Sequence, residues 1–269
     1  MRLILVSVLV VIISLAAYCA HAENERDDQV QREKFDVVMS EKIEQLYIQA
    51  KNWKEPLTLK VEDERLEGDY KVLSEFVLKY WMDNIESRNQ YLRELDQAKW
   101  DEFLNVQRLE QDKKSKYQNT EQMFIQVKKI QEDYQKRYDL IYAEAIDDLN
   151  QLDLKANLRS SMQEKLEHSR EKNNEQALFA LEIQIMHKAE EMFEFLKKHE
   201  WQRRNTMFLF KDDETVNRFN QLYRELNNLQ GEIDKLKSQN AQVIQSQTVS
   251  QDALVMETTA NDGVKKSEN

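Results

Sequence analysis

Three histidines, His168, His187 and His199, are the residues beyond position 22 whose type best suits metal binding or acid–base catalysis. They fall on one predicted helix at intervals of 19 and 12 residues, which turns their side chains about 100° and 120° away from one another. No His-Glu-x-x-His sequence occurs, and no Glu stands three residues before a His, as the di-iron sites of helical bundles require. The spacing therefore predicts no metal site, and solvated ion pairs are expected instead.

Carboxylates are numerous, but their spacing brings no catalytic pair together. Asp147 and Asp148, for example, are adjacent on a predicted helix, so their side chains point about 100° apart. No nucleophile elbow, phosphate-binding loop or kinase signature occurs, and the single cysteine, Cys19, lies in an N-terminal apolar segment. We predict no catalytic, cofactor-binding or metal-binding residue, and hence a protein that is not an enzyme. A hydrolase with an unrecognised carboxylate site is an alternative.

One apolar stripe near the C-terminus has the spacing of a helix–helix interface. Its residues alternate steps of three and four in a strict heptad, and Asn240 occupies an a-type position, where a polar residue fixes the register of two-stranded coiled coils. The predicted interface residues are Phe219, Leu222, Leu226, Leu229, Ile233, Leu236 and Asn240. We expect helix 213–243 to self-associate or to bind a protein partner. Packing within the chain's own bundle is an equal alternative.

Two aromatic segments are further candidates for binding. Met207, Phe208, Leu209 and Phe210 form a continuous apolar run in a predicted loop, and Met207, Phe208 and Phe210 are predicted interaction residues. The run is either an exposed docking patch or membrane-touching finger, or a cover for the open end of a bundle. Tyr134, Tyr138 and Tyr142 form an i, i+4, i+8 row. Such a row is a binding stripe or, more commonly, the edge of a packed helix face.

The composition indicates which elements must position these residues. The chain has 3 glycines and 1 proline, Pro56, in 269 residues, too few for the turns of strand-rich folds or for the Gly-rich loops of nucleotide-binding folds. The fold class is therefore predicted to be all-α. We expect an elongated bundle of four to five long antiparallel helices, with a C-terminal heptad helix and a disordered tail.

Apolar periodicity predicts the first two helices and a turn. The first runs from about Gln29 to Trp53, and the second runs without interruption from about Asp69 to Leu109. A turn is expected near residues 112–120, where Asn119 and Gln122 form a capping box that starts the third helix.

The same analysis divides the second half of the chain. A turn near 150–160 precedes a capping box of Ser161 and Glu164, from which a fourth helix runs to about His199. After a polar joint at 201–206 and the apolar run, the carboxylates of Asp212, Asp213 and Glu214 mark the start of the fifth helix.

The first 22 residues have the pattern of a secretory signal peptide. Arg2 precedes an apolar stretch that ends in Ala20-His21-Ala22, a small-residue cleavage site. We predict a signal peptide over 1–22, a helical bundle domain over 23–243 and a disordered tail over 244–269. An uncleaved membrane anchor is the alternative, because the apolar stretch is just long enough to span a bilayer. After cleavage no stable membrane span is expected.

The charge balance excludes one class of partner. The chain has 39 basic and 50 acidic residues, and its formal net charge of −11 becomes more negative when Arg2 leaves with the signal. Nucleic acid is therefore not an expected partner.

Several segments resemble a family of uncharacterised helical bacterial envelope proteins, some of them lipoproteins. These segments are the helix end near Trp53, Leu57-Thr58-Leu59, the helix from Tyr70 to Leu95, Phe208-x-Phe210-Lys-Asp-Asp and Phe219-Asn220-x-Leu222. The resemblance implies a helical envelope protein and no catalytic residues. Members of the family often carry a lipid-attachment cysteine after the signal. Here Cys19 follows the bulky Tyr18 and departs from that pattern.

These observations together predict an exported, non-enzymatic protein that binds or scaffolds another macromolecule. The bacterial periplasm or cell envelope is the expected location, and secretion is the alternative. A periplasmic chaperone or carrier that binds lipids or client proteins in an apolar groove is a second candidate function.

Overall fold

The computed structural model describes residues 26–171 and 174–264, and the side chains of 29–170 and 174–239. Within these residues the chain forms seven α-helices, one 3-10 helix and one β-hairpin, and the all-α prediction is confirmed. The helices are α1 Arg26–Ala50, α2 Gly68–Gln97, α3 Val106–Lys113, α4 Gln118–Gln151, α5 Ala156–Glu171, α6 Asn174–Lys198 and α7 Asp213–Val264. The 3-10 helix is Trp100–Glu102, and the strands are β1 Trp201–Arg204 and β2 Met207–Phe210. The predicted signal peptide lies outside the described residues.

The two longest helices of the first half, α2 and α4, connect two separate apolar clusters. Buried side chains near the start of α2 and the end of α4 join those of α1 and α5 in what we call the α1-side cluster. Buried side chains near the end of α2 and the start of α4 join those of α3, α6, α7 and the hairpin in the hairpin-side cluster. At 1.5 Å per residue α2 is about 45 Å long, long enough to reach both.

The predicted uninterrupted helix from Asp69 to Leu109 is wrong, because the chain turns between α2 and α3. Lys99 has a φ of 55°, which ends regular helix geometry. The rings of Trp100 and Phe103 stack with centroids 4.9 Å apart, and Trp100 packs edge-on against Phe124 of α4. The spacing of apolar residues across this segment fits a helix, but packing against α4 favours the turn. The side chain of Asn105 then caps α3 by accepting from the backbone N–H of Arg108 at 3.1 Å.

The turn expected near 112–120 is present, but a different residue caps the helix that follows. The Asp112 carboxylate accepts from the backbone N–H of Asn119 at 3.2 Å and of Thr120 at 2.8 Å. It also accepts from the Thr120 hydroxyl at 2.6 Å. Asn119 lies within α4 rather than at its cap, so the capping box predicted there is wrong. The last turn of α3 thus supplies the cap of α4 from across the loop.

The turn expected near 150–160 is also present, between α4 and α5. Arg159 connects it to the helix by donating to the carbonyl oxygens of Leu152 at 2.7 Å and Leu154 at 3.3 Å. Because α5 begins at Ala156, Ser161 lies inside the helix and does not cap it. The single fourth helix predicted to run to about His199 corresponds to two helices, α5 and α6.

The apolar run 207–210 is not a loop but the second strand of a hairpin. Strand β1 pairs antiparallel with β2, with Trp201 opposite Phe210 and Arg204 opposite Met207. The two-residue turn places Asn205 at a φ of 56°, a conformation that hairpin turns require and Asn tolerates. The polar joint and the apolar run predicted separately therefore form one unit between α6 and α7.

Helix α7 begins where the carboxylates predict it. The side chain of Asp212 accepts from the backbone N–H of Thr215 at 2.8 Å, as an N-cap does. The helix extends to Val264, across much of the segment for which the sequence predicts disorder, and the described side chains end at residue 239. The predicted disorder of 244–269 stays a prediction. A search of the described helices for one long and apolar enough to cross a membrane found none.

Candidate functional site

Buried polar side chains collect where the two apolar clusters meet. Arg88 of α2 is 5% exposed and Glu175 of α6 is 6% exposed, and Gln131 of α4, which lines the same small cavity as Arg88, is buried as well. On α2 the α1-side cluster ends at Ile85 and the hairpin-side cluster begins at Tyr91. We call the set Arg88, Tyr134, Glu175, Glu182 and Lys237 the Arg88 layer.

Arg88 holds two carboxylates of α6. Its guanidinium donates to both oxygens of Glu182, from Nη1 to Oε2 at 2.9 Å and from Nη2 to Oε1 at 2.5 Å. Its Nε lies 3.2 Å from Oε1 of Glu175. Two parallel hydrogen bonds between a planar guanidinium and a carboxylate fix both distance and orientation, so this pair sets how α6 lies against α2.

Aromatic side chains of α2 and α4 surround the guanidinium. Its central carbon lies 4.9 Å from the ring centroid of Tyr91 and 5.6 Å from that of Tyr134, within cation–π range. The Tyr134 hydroxyl donates to Oε1 of Glu175 at 3.1 Å. Of the predicted tyrosine row, Tyr134 and Tyr138 are buried, so the row lies in the packed part of α4.

The protonation of the layer follows from burial and from its ion pairs. Burial raises the pKa of Glu175 above its usual value, and the charge of Arg88 partly offsets this effect. Burial alone would lower the pKa of Arg88, but Glu182 and Glu175 raise it well above its usual value. Burial also lowers the pKa of Lys237, which faces the layer from α7. With both acids ionised, two cations and two anions give the layer no net charge.

Little open space adjoins these groups. A cavity of about 40 Å³ has room for about one water molecule. Its polar lining residues are Arg88, Gln131, Glu182, Gln230 and Lys237, and aromatic and aliphatic side chains complete it. Each carboxylate is already bound to Arg88, so neither faces a space that would admit a substrate. The layer is arranged to hold helices together.

A larger opening lies at the hairpin end of the molecule. A cleft of about 590 Å³ separates the hairpin turn from the segment 101–107. Asp101 and Glu102 line it on one side, and Arg203 and Asn205 on the other. Arg203 pairs with Glu110 at 2.6 Å, whereas Asp101 and Glu102 form no salt bridge within the part of the chain that the structure describes. The cleft therefore has an excess of negative charge.

The hairpin beside this cleft has two different faces. On the inner face, the ring of Phe208 lies 4.9 Å from that of Trp201 and 5.1 Å from that of Phe219, and Phe210 is buried. On the outer face, Met207 is 59% exposed and Leu209 is 48% exposed. The predicted interaction residues of this run therefore differ in their exposure to solvent. Met207 faces solvent, whereas Phe208 is half-buried and Phe210 fully buried.

The predicted heptad stripe of α7 packs inside the chain. Leu222, Leu226 and Ile233 are buried, and Leu226 has no exposed surface. Phe219, Leu229 and Leu236 are partly buried and pack against the hairpin-side cluster. The side chain of Asn240 lies outside the described residues. The described residues of this stripe pack against α6 of the same chain, which is the second of the two alternatives, packing within the chain's own bundle.

The histidines do not come together. His199 lies with Nδ1 2.9 Å from the carbonyl oxygen of Phe195, and the two rings stack. Glu190 and Glu191, which the sequence offers as partners of His187, pair instead with Lys128 and with Lys188 and Arg218. Among the described residues, no three His, Cys, Asp or Glu side chains form a group that could hold a metal ion.

Sequence reasoning missed the Arg88 layer, although a signal for it exists. Arg88 stands three residues after Ile85 and four before Leu92, so it occupies a position of the buried stripe of α2. Glu182 stands likewise between Phe179 and Ile185 on α6. Charged residues at stripe positions of two helices indicate a buried ion pair, because neither charge is tolerated alone in a core.

Comparison with protein-family models, with curated proteins and with solved structures found no match in any of the three. The resemblance to helical envelope proteins therefore stays a prediction. Any functional assignment depends on the geometry described above.

Proposed function

We propose that this chain is an exported, non-enzymatic binding protein of the bacterial envelope, and that it docks another protein at its hairpin end. The observation that carries the proposal is the outer face of the hairpin. It presents Met207 and Leu209 to solvent, and the turn of the same hairpin lines the cleft of about 590 Å³. Apolar side chains held on a rigid element beside a cleft are typical of protein interaction sites.

The hairpin has little freedom to move, which favours binding. The Trp201 indole N–H donates to the carbonyl oxygen of Leu196 at 3.2 Å, and Lys113 donates to the carbonyl oxygen of Trp201 at 3.0 Å. Phe208 and Phe210 anchor the strand that carries Met207 and Leu209. A surface that is ordered before binding loses less conformational entropy when a partner docks.

The charges of the site indicate the chemistry of the partner. Asp101 and Glu102 line the cleft without a salt bridge from any described residue. A partner segment would therefore combine apolar side chains with an acidic group facing Arg204, which pairs across the strands with Met207 on the same face, and a basic group facing Asp101 and Glu102. Because these charges are exposed, we expect higher salt to weaken the complex.

The α7 stripe is a weaker candidate for the docking surface. Leu226 and its neighbours already pack against α6, so a partner would have to displace that packing. We expect Leu226→Asp to abolish cooperative melting of the chain rather than to dissociate an oligomer that stays folded.

Photocrosslinking tests the docking site. A benzoyl-phenylalanine replaces Leu209 in the full chain expressed in its own cell, and a matched variant carries it at Ile125, which is 61% exposed on α4. We expect one reproducible protein adduct from position 209 and none from position 125. The adduct should disappear when Met207→Asp is added. Equal labelling at both positions, or labelling that Met207→Asp leaves unchanged, would overturn the proposed site.

Export is tested separately by fractionation and N-terminal sequencing. We expect the protein in the envelope fraction with Glu23 as its first residue. A cytoplasmic protein that begins at Met1 would contradict export, and an envelope protein that begins at Met1 would favour the anchor.

A further inference from the structure

Helix α6 and residues 213–239 of α7 form a unit that we call the arm, and the hairpin between them is bound to α3 through Lys113 and Arg203. The backbones of α6 and α7 approach each other more closely than either approaches α2 or α4. Large aromatic side chains occupy the wider space between the arm and α2 and α4. Tyr134 lies 4.9 Å from Phe179, and Phe124 lies 5.3 Å from Phe193, between ring centroids. The arm is therefore separated from α2 and α4 by a layer of aromatic rings, which belong to the same buried cluster as the side chains of the arm.

The polar contacts between the arm and the helices beneath it are of two kinds. Lys128 pairs with Glu190 at 2.6 Å, and Lys197 pairs with Glu121 at 2.7 Å, both at the surface. Exposed pairs of this kind contribute little to stability. The Arg88 layer is the buried contact, and it joins α2 and α4 to both helices of the arm.

A buried ion layer has two consequences for such a junction. Its bidentate geometry allows one alignment of Arg88 with Glu182, so it selects a single closed position of the arm. However, the charges lose their hydration when the arm closes, and an apolar layer of the same size would often be more stable. Opening returns water to the charges, and a cavity of about 40 Å³ already adjoins them.

The layer itself contains a group that favours opening. The Nε–H of Arg88 is buried and, although it lies 3.2 Å from Oε1 of Glu175, it forms no hydrogen bond within the described residues. Such a group costs free energy while it stays dry and regains a hydrogen bond when water enters.

We infer that the arm opens away from α2 and α4 as a unit, and that the Arg88 layer is its latch: the layer fixes one closed position and makes that position easier to open than an apolar layer would. Opening exposes the rings of Tyr91, Tyr134 and Phe179, which contact one another in the closed state. The α1-side cluster stays intact, because it contains no residue of the arm. This inference does not depend on the docking proposed for the hairpin.

Hydrogen exchange of the full chain tests the latch through two variants with opposite effects. Arg88→Met leaves Glu175 and Glu182 with Lys237 as the one remaining cation of the layer, so exchange in α6 and α7 should accelerate on the order of 100- to 1,000-fold. A fourfold variant, Arg88→Met, Glu175→Gln, Glu182→Met and Lys237→Met, removes all the charges. Exchange in the arm should then slow about tenfold. In both variants the amides of α1 should exchange as in the wild type.

Arg137→Met is the matched control, because Arg137 pairs with Glu94 at 3.0 Å in a half-buried position on α4. It should leave the exchange of the arm unchanged. A similar acceleration in Arg137→Met, or a change that spreads equally to α1, would overturn the latch. If Arg88→Met fails to fold, the fourfold variant decides alone. Slower exchange confined to the arm supports the latch, and exchange that is unchanged or uniformly altered overturns it.

Discussion

The two apolar clusters share α2 and α4, but the arginine–carboxylate pairs beside them differ in their exposure to solvent. In the α1-side cluster, Arg65 pairs with Glu41 and Asp63 at the surface, where the Arg65 side chain is 47% exposed. In the hairpin-side cluster, Arg88 pairs with Glu182 and Glu175 almost out of contact with solvent. Both arginines bind two carboxylates at similar distances. Burial, more than the geometry of the pair, therefore sets how much stability the protein loses when the pair is removed.

The clusters also differ in what fills them. The hairpin-side cluster contains stacked and edge-on ring pairs, among them Tyr91 with Tyr134 at 4.6 Å. In the α1-side cluster Phe35 and Tyr70 are 5.7 Å apart, and most of the other buried residues are aliphatic. Large rings bridge the wider gap between the arm and α2 and α4, whereas aliphatic side chains suffice where α1 lies directly on α2.

The largest effect expected from this comparison is that of Arg88→Met. It leaves two buried carboxylates without their cation and should lower the free energy of unfolding by about 3–5 kcal/mol. Arg65→Met removes a surface pair and should cost less than about 1 kcal/mol. Urea unfolding of both variants measures the difference. Equal costs would show that burial does not distinguish the two clusters.

Leucine-to-alanine substitutions test whether the clusters are separate units. Leu226 of the hairpin-side cluster and Leu166 of the α1-side cluster both have no exposed surface. Truncating either residue to alanine should lower the free energy of unfolding by about 2–5 kcal/mol. Hydrogen exchange should show that Leu226→Ala loosens the arm, whereas Leu166→Ala loosens α1 and α5. If both variants accelerate the exchange of the same amides, the molecule behaves as one cooperative core.

A smaller effect is expected at the cap of α4. Asp112→Ala removes the acceptor of two backbone N–H groups and of the Thr120 hydroxyl, and should cost about 1–2 kcal/mol. Asp133→Ala is the control, because Asp133 lies on the exposed face of α4 and its contact with Lys136 is 3.8 Å long. Thermal unfolding compares the two. No difference between them would mean that Asp112 does not cap α4.

The smallest expected effect is a difference in pH response. Hydrogen bonds from Arg65 lower the pKa of Asp63 to about 2, so its stabilisation is present above the ordinary value of 3.8 and is lost as the pH falls towards 2. The contribution of Asp63 to the free energy of unfolding should stay below about 1 kcal/mol, because Arg65 is half exposed to solvent. Asp63→Asn should remove this loss from a series of urea titrations at different pH.

Glu175 should respond in the opposite sense. Burial raises the pKa of Glu175 in the folded state. The stabilisation of the folded state by its protonated form is therefore fully present below the ordinary pKa of 4.5. It decreases as the pH rises through the raised value. Glu175→Gln should therefore flatten that decrease, whereas Asp63→Asn should not affect it. A common pH profile for the two variants would contradict the opposite shifts.

Periodicity and composition determined much of this fold. The scarcity of glycine and proline excluded strand-rich folds, and the stripes of α1, α4 and α7 predicted which side chains are buried. Capping residues located the start of α7, because the carboxylate of Asp212 accepts from the backbone N–H and the hydroxyl of Thr215 in the first turn of that helix. Such features depend on neighbours along the chain, which is why the sequence alone suffices for them.

The remaining features of the fold depend on contacts between residues that are far apart in the chain. The turn at Lys99 depends on Phe124 of another helix, and the cap of α4 comes from Asp112 of the helix before it. Arg88 and Glu182 are 94 residues apart in sequence, and each looks alone like a solvated charge. Their pairing is favourable only because packing removes water from both at once. The sequence near Arg88 therefore does not predict which distant carboxylate will be buried with it.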